Sequence, residues 1–278
     1  MASEELITMK FSVLMSVYYQ EQPAHLKEAL DSVFDQTLPP DEVVLVEDGP
    51  LTPELERIIK GEQILHPALK RVSLKQNVGL GLALREGLSH CSNDLVARMD
   101  TDDICKRERF ERQTRFMEEH PDIDVLGTWI DEFVGMPSQI VSMRRLPEEH
   151  DDIVRFGHKR NPVNHPTVMF RKKSVESAGS YQHFYLFEDY FLWARMMQQG
   201  FRFHNLPESL LFFRMSGNMF LRRGGLKYLR SEMAFQQALH RLGYISLPCM
   251  LQNISLRTLM RIIPNRMRQY IYLRILRR

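Results

Sequence analysis

Residues 94–104 read DLVARMDTDDI, a largely apolar run that passes into three aspartates within four positions. Like charges this close repel unless something positive sits among them. The run is also the fourth of a series. FSVLMSVY (11–18) and EVVLVEDG (42–49) are short β-branched and apolar stretches, and KRVSL (70–74) is a third. Between them lie helical patterns. PAHLKEALDSVF (23–34) sets Leu26, Ala29, Leu30 and Val33 at three-and-four spacing, and Pro39-Pro40 ends it. PELERIIKGEQIL (53–65) and GLGLALREGLSHC (79–91) follow suit. Four strands alternating with helices predict a largely parallel sheet. Such sheets bind ligands outside the carboxyl ends of their strands. Glu47-Asp48-Gly49, Asn77-Val78-Gly79 and Asp100–Asp103 all fall at those ends.

Beyond the aspartates, KRERFERQTRFMEEH (106–120) is a charged helix with Glu108–Arg112 and Glu111–Arg115 four residues apart. Residues 123–146 read as strand-like. NHPTVMFRK (164–172) predicts another strand, and EDYFLWARMMQQG (188–200) a helix that opens on two acids.

The chain has 278 residues, 44% hydrophobic and 26% charged, enough for a sizeable core. A net charge of +2 gives no argument for nucleic acid as a partner. Three cysteines, Cys91, Cys105 and Cys249, with no C-x-x-C pair, fit a reducing compartment and no disulfide framework. The N-terminal apolar run is too short for a signal peptide, and no stretch is long enough to span a bilayer. The expectation is a cytoplasmic protein, with a membrane surface still within reach.

Two readings compete for Asp100–Asp103. One acid could cap the helix that follows, but one suffices, and Ile104 and Lys106 stand where a capping-box glutamate belongs. Three acids suit a hard cation, Mg2+ or Mn2+, that takes carboxylate and phosphate oxygens. In QNVGLGLALREG (76–87), Gly79 and Gly81 would let backbone amides approach an anion at a helix N-terminus. The same segment partly matches G-x-G-x-x-G, with Leu84 at the third glycine and Asp100 about twenty residues on, so an NAD-dependent oxidoreductase is the rival enzyme reading. Glu188-Asp189 could simply favour a helix N-terminus electrostatically. His165 fits a hydrogen-bonded structural histidine better than a ligand, and is kept as an acceptor-binding candidate. Phe191 and Trp193 read as core. The C-terminal ISLRTLMRIIPNRMRQYIYLRILRR (254–278) carries seven arginines and no acid. It is either a solvated or docked helical tail or a basic segment for an anionic membrane surface.

In order and approximate spacing, FSVLMSVY, SVFDQTLPPDEVVLVEDG, NVGLGLALREG, MDTDD and FEDYFLW resemble glycosyltransferase family 2, over roughly residues 10–215. FRMSGN and RRGGLKYLRSE further resemble bacterial members that build O-antigen and exopolysaccharide. The resemblance implies a GT-A α/β fold, a Rossmann-like, largely parallel mixed sheet flanked by helices, with a C-terminal helical extension. It divides the chain into a catalytic domain at 9–215 (a nucleotide-binding half at 9–105, an acceptor-binding half at 106–215) and a basic helical region at 216–278. It implies a metal-dependent, inverting transfer of a hexose, galactose or glucose, from a UDP-sugar to a polyprenyl-pyrophosphate-linked sugar at the inner face of a bacterial inner membrane. Asp48, Glu47, Asn77, Gly79, Arg85 and Asp100 would border the nucleotide. Asp102 would bind Mn2+ or Mg2+, supported by Asp100 and Asp103. Asp189 would be the general base and Glu188 its support. Arg222 and Arg223 would meet the acceptor's pyrophosphate, and His165 is a further acceptor candidate. A non-catalytic sugar-nucleotide or membrane-binding module is the third reading.

Overall fold

The structure, a computed structural model, describes residues 9–215 and 225–262. Arg222, Arg223 and the arginine-rich residues 263–278 lie outside the described residues. The first half is the predicted alternation. β1 (Phe11–Val17), α1 (Pro23–Phe34), β2 (Glu42–Glu47), α2 (Pro53–Leu65), β3 (Leu69–Ser73), α3 (Leu80–His90) and β4 (Leu95–Met99) follow one another, and β1 to β4 pair in parallel. A parallel strand is covered on both faces, so its residues are apolar throughout rather than alternately. Leu14, Val44, Val46 and Val96 pack on the face that α3 covers with Leu84 and Leu88. Val13, Met15, Val43, Leu45 and Ala97 pack on the face covered by Leu26 and Leu30 of α1 and by Leu55 and Ile59 of α2.

The second half is mixed. β5 (Ile104–Cys105), α4 (Arg109–Glu119), β6 (Val125–Phe133), β7 (Ile140–Arg144), α5 (His150–Gly157), β8 (Met169–Arg171), α6 (Lys172–Ser177), α7 (Glu188–Gln198) and β9 (Phe203–Arg214) complete the sheet. Its order is β3-β2-β1-β4-β8-β6-β9-β5, with β7 hairpinned onto β6. β8 runs antiparallel to both β4 and β6, and β9 parallel to β6. The architecture is the expected mixed, mostly parallel α/β fold.

The predicted strand at 164–172 is largely something else. Residues His165–Thr167 form a 3-10 turn, and only Met169–Arg171 pair with neighbouring strands. Pro166 has no N–H to give a ladder. Thr167 turns back instead, its N–H and hydroxyl both donating to the Asn164 carbonyl at 2.9 and 2.7 Å.

Two further helices, α8 (Gly225–Arg241) and α9 (Leu247–Ile262), close the described chain. They dock on the body. Phe235 and Leu239 enter the core, Arg257 pairs with Glu232 and donates to the Lys159 carbonyl at 2.6 Å, and Asn253 donates to the His158 carbonyl at 2.9 Å. Arg257 is thus committed to the fold rather than to an outside surface. No helix among the described residues is long and apolar enough to cross a membrane.

Candidate active site

The carboxyl ends of β2 and β4 face the same rim, and their acids are held very differently. After β2, Asp48 is buried, and its two carboxylate oxygens accept the N–H groups of Val78 and Gly79 at 2.7 and 3.0 Å. Asn77 is exposed and donates its amide to the Asp48 carbonyl at 3.2 Å. The chain turns so sharply here that a Cβ on Gly49, at φ +87°, would stand 2.6 Å from the Asn77 nitrogen. Glu47 is also buried: Arg71 Nε donates to one oxygen at 2.6 Å and Ser73 Oγ to the other at 2.5 Å. The Gly79 amide, predicted to meet a ligand's anion, therefore meets Asp48, and Glu47, predicted to border the nucleotide, is spent on Arg71 and Ser73. The dinucleotide reading loses the Val78 and Gly79 amides as pyrophosphate donors. Gly81 serves packing: a Cβ there would lie 2.8 Å from the Gln182 carbonyl oxygen and 3.0 Å from Glu188 Cβ. This contact joins the first turns of α3 and α7.

After β4 the aspartates do not cap a helix. α4 begins at Arg109, beyond β5, with Glu108 preceding it and no side-chain cap. Asp100, Asp102 and Asp103 instead present oxygens within 4.8 Å of one another. Asp103 is fully buried; one oxygen accepts the Arg214 N–H at 2.8 Å, and the other has no partner. Arg214, at the end of β9, also donates Nε to the Asp102 carbonyl at 2.8 Å and pairs with Glu28. Burial, then the charges of Asp100 and Glu21, push the Asp102 carboxyl up to about 7. Burial, then Asp102 and Asp100, raise Asp103. An unpartnered buried carboxylate oxygen ordinarily costs about 1–3 kcal/mol. Crowded oxygen donors short of positive charge fit a hard divalent cation, Mn2+ or Mg2+.

One positive charge is already present, and the sequence reading passed over it. Arg98, inside β4, is 1% exposed and forms an ion pair with Asp100. Its signal was a charged residue in an otherwise apolar buried strand, two positions before the acids.

Glu188 and Asp189 open α7 beside this rim. Asn161 Nδ2 donates to Asp189 Oδ2 at 2.6 Å, and the Asn161 carbonyl in turn accepts Arg144 Nη2 at 3.1 Å. Glu188 Oε2 is buried without a partner, and burial, followed by the charge of Asp189, pushes its carboxyl up to about 7. Burial raises Asp189 as well, against the hydrogen bonds that it accepts. The approach to the pair is strained: Leu186 has φ +64°, a conformation that costs a branched side chain of order 1–3 kcal/mol. Packing holds it, since Phe187 stacks on Phe235 of α8 with ring centroids 4.4 Å apart. Sequence reading gave α8 no part in positioning the Glu188–Asp189 pair.

The remaining candidates separate. Arg85 is exposed on α3, and its charge, after burial, helps lower Arg195 to about 10. His165 is buried between the rings of Tyr181 and Trp193, 3.0 Å from the Tyr181 hydroxyl. Burial and then Arg98 hold its pKa well below the usual value. It is a neutral structural histidine, and the acceptor role expected for it is not supported by its burial.

A family model described as "Glycosyl transferase family 2" matches residues 12–179. Among curated proteins, the chain is 42% identical over 94% of its length to "Amylovoran biosynthesis glycosyltransferase AmsE" of Erwinia amylovora, covering 97% of that protein. It is 38% identical over 98% of its length to an Escherichia coli "UDP-Gal:alpha-D-GlcNAc-diphosphoundecaprenol beta-1,3-galactosyltransferase", covering 98% of it. Among solved structures, S. aureus TarS 1-349 with UDP-GlcNAc superposes with a TM-score of 0.65 at 19% identity, over 83% of this chain and 66% of that one. Mannosyltransferase PcManGT of Pyrobaculum calidifontis, in complex with GDP-Man and Mn2+, does so with 0.63 at 16% identity, over 96% and 84%.

Proposed function

This chain belongs to glycosyl transferase family 2, and on that premise we propose that it moves a hexose, galactose or glucose, from a UDP-sugar to a sugar carried on a polyprenyl diphosphate. Its place among glycosyltransferases of O-antigen and exopolysaccharide synthesis follows from its relatives. The carrying observation is the end of β4, where three carboxylates gather within 4.8 Å and one keeps a buried oxygen unpartnered. The donor and acceptor classes draw support from the relative named for UDP-Gal and a diphosphoundecaprenol acceptor, and from the UDP-GlcNAc complex of TarS. The Mn2+ in PcManGT supports a divalent metal.

Asp102 and Asp103, with Asp100 alongside, would hold Mn2+ or Mg2+, which when bound supplies the charge that stabilises the departing diphosphate. Asp48 walls the uracil and ribose side by locking the loop at Val78 and Gly79, with Asn77, tied to the Asp48 carbonyl, and exposed Arg85 beside it; Asp100 faces the ribose. Asp189, oriented by Asn161, takes the proton of the acceptor hydroxyl while that oxygen attacks the anomeric carbon from the face opposite the diphosphate. Glu188 borders Asp189 and keeps its surroundings acidic. One displacement inverts the stereochemistry.

The test is a panel of UDP-sugars with a synthetic GlcNAc-diphosphate-lipid acceptor, with and without Mn2+ or Mg2+. A metal-dependent inverted product is expected; UDP binding without transfer from any donor would leave a non-catalytic module. We place the protein on the inner face of the inner membrane as a peripheral protein. Exposed Leu247 and Leu251 on α9, and five arginines without an acid in residues 263–278, support this. Removing 263–278 should reduce sedimentation with anionic vesicles and spare transfer to a water-soluble acceptor. Unchanged sedimentation would contradict the placement.

A further inference from the structure

Two arginines are buried side by side beneath the rim, and their surroundings differ. Arg109 is 0% exposed and spends its guanidinium on neutral groups: Nε donates to Gln113 Oε1 at 3.0 Å, Nη2 to the Arg98 carbonyl at 2.7 Å, and Nη1 lies against the sulfurs of Met99 and Cys105. That is how an arginine with an architectural task is satisfied. Arg98 is as deeply buried, opposite Leu14 of β1, yet among the described residues its side chain bonds to Asp100 alone, and Nε and Nη1 have no partner there. A buried ion pair satisfied this poorly is a weak stabilising device, and an apolar side chain of similar volume often serves the fold as well or better. Stability alone does not explain why an arginine stands there.

Its surroundings supply another reason. Asp100 is half-buried, and Arg98 is its hydrogen-bond partner among the described residues. Asp100 is therefore held in one orientation by Arg98. Asp102, Asp103, Glu188 and Asp189 also lie near enough to feel the same charge. Five carboxyl groups from two segments distant in sequence thus lie around one buried guanidinium whose ion-pair partner is Asp100. Asp103 and Glu188 each keep a buried oxygen unpartnered, matching the unpartnered donors of Arg98 in kind.

We infer that Arg98 is a positioning residue for the transfer reaction: it holds Asp100 in the orientation that receives the donor, and its buried guanidinium keeps a fixed positive charge beside the carboxylate cluster. Arg98 touches neither substrate nor reacting atom, and it acts through Asp100. The inference rests on the glycosyl-transfer reading and deepens it.

A double-mutant cycle on the full chain tests it, using wild type, Arg98→Met, Asp100→Asn and the double variant. Mn2+ is the probe metal. UDP affinity in its presence is read by calorimetry and kcat is read with the UDP-sugar panel. Each single variant is expected to weaken Mn2+-dependent UDP binding about tenfold and to lower kcat about a hundredfold. The double variant should lie within about threefold of Asp100→Asn, because the two side chains act as a unit. Multiplying losses, or a folded Arg98→Met with wild-type kcat and UDP affinity, would overturn the inference. Should Arg98→Met fail to fold, Arg98→Lys carries the test. It keeps the charge, so UDP affinity should stay within about threefold, while an ammonium that lacks the planar fork loses about tenfold in kcat. Wild-type kcat in Arg98→Lys would equally overturn it. Failure of the functional reading looks different: the wild type would then bind UDP with Mn2+ and transfer nothing, and the binding arm of the cycle would still report on Arg98.

Discussion

At the end of β2 each carboxylate oxygen of Glu47 and Asp48 has a donor from the protein; at the end of β4 Asp103 lacks one, and Asp102 is pushed up to about 7 by burial and like charge. Both rims are acidic and each holds buried carboxyl groups, Glu47 and Asp48 at the first and Asp103 at the second. The first is closed on itself and ties β2, β3 and the start of α3 together. At the second, Arg98 pairs with Asp100 and Arg214 with Glu28, and the remaining acids are left short of positive charge, so a further cation would lower its free energy. A carboxylate cluster marks a site when its oxygens are left unsatisfied, and architecture when they are not.

The largest effect expected from this contrast is on Asp102. Asp102→Asn should lower metal-dependent transfer about a thousandfold, since a bound cation contributes several kcal/mol of charge stabilisation. Steady-state kinetics over a Mn2+ titration checks it, and a loss under tenfold would mean that the β4 rim does not hold the metal. A smaller effect belongs to Asn161, which orients Asp189 without taking its proton. Asn161→Ala should cost about tenfold in kcat with little change in KM, less than the 10²–10⁴ that a general base itself contributes.

The contrast extends to pH. Glu188 titrates near 7 in the folded chain, above its usual range, so the folded state binds more protons than the unfolded one between about 4.5 and 7. Stability from this group falls as pH rises through that window. Glu42 behaves oppositely. Despite its burial, Lys70 and the hydroxyls of Ser12 and Ser92 hold it at about 2, so its contribution is present above its usual range and lost as pH falls toward 2. Metal-free protein should lose about 2 kcal/mol from pH 5 to 7.5 through Glu188, and Glu188→Gln should flatten that slope in urea denaturation. An unchanged slope would show that Glu188 is not the group responsible. The smallest effect on chemistry is expected at the closed rim. Glu47→Gln should leave kcat within about threefold while lowering Tm, because Arg71 loses a charged partner inside the fold. A hundredfold loss of kcat without loss of Tm would move Glu47 into the binding site.

The alternation from β1 to β4 was legible because strands buried on both faces are apolar runs, and their boundaries are marked by Pro39-Pro40, Gly49 and Gly79. The strand expected at 164–172 was obscured by reading composition over Pro166, whose missing N–H turns the chain. Acids were legible as charges, but their satisfaction was not. Arg71 reaches Glu47 from 24 positions away, Asn161 reaches Asp189 from 28, and Arg214 reaches Asp103 from 111. Only the folded chain brings such partners together. Arg98 lay in plain view in DLVARMD and escaped notice because a single arginine in a strand resembles an edge residue until its burial is known.

The most direct measurement is the position of a manganese ion. Crystals of the full chain grown with UDP and Mn2+, examined at a wavelength where manganese scatters anomalously, should show one strong peak within coordination distance of Asp102, with Glu47 and Asp48 still bonded to Arg71, Val78 and Gly79. A manganese peak at the Glu47–Asp48 rim, or UDP bound at the strand ends with no manganese near Asp102, would contradict the account.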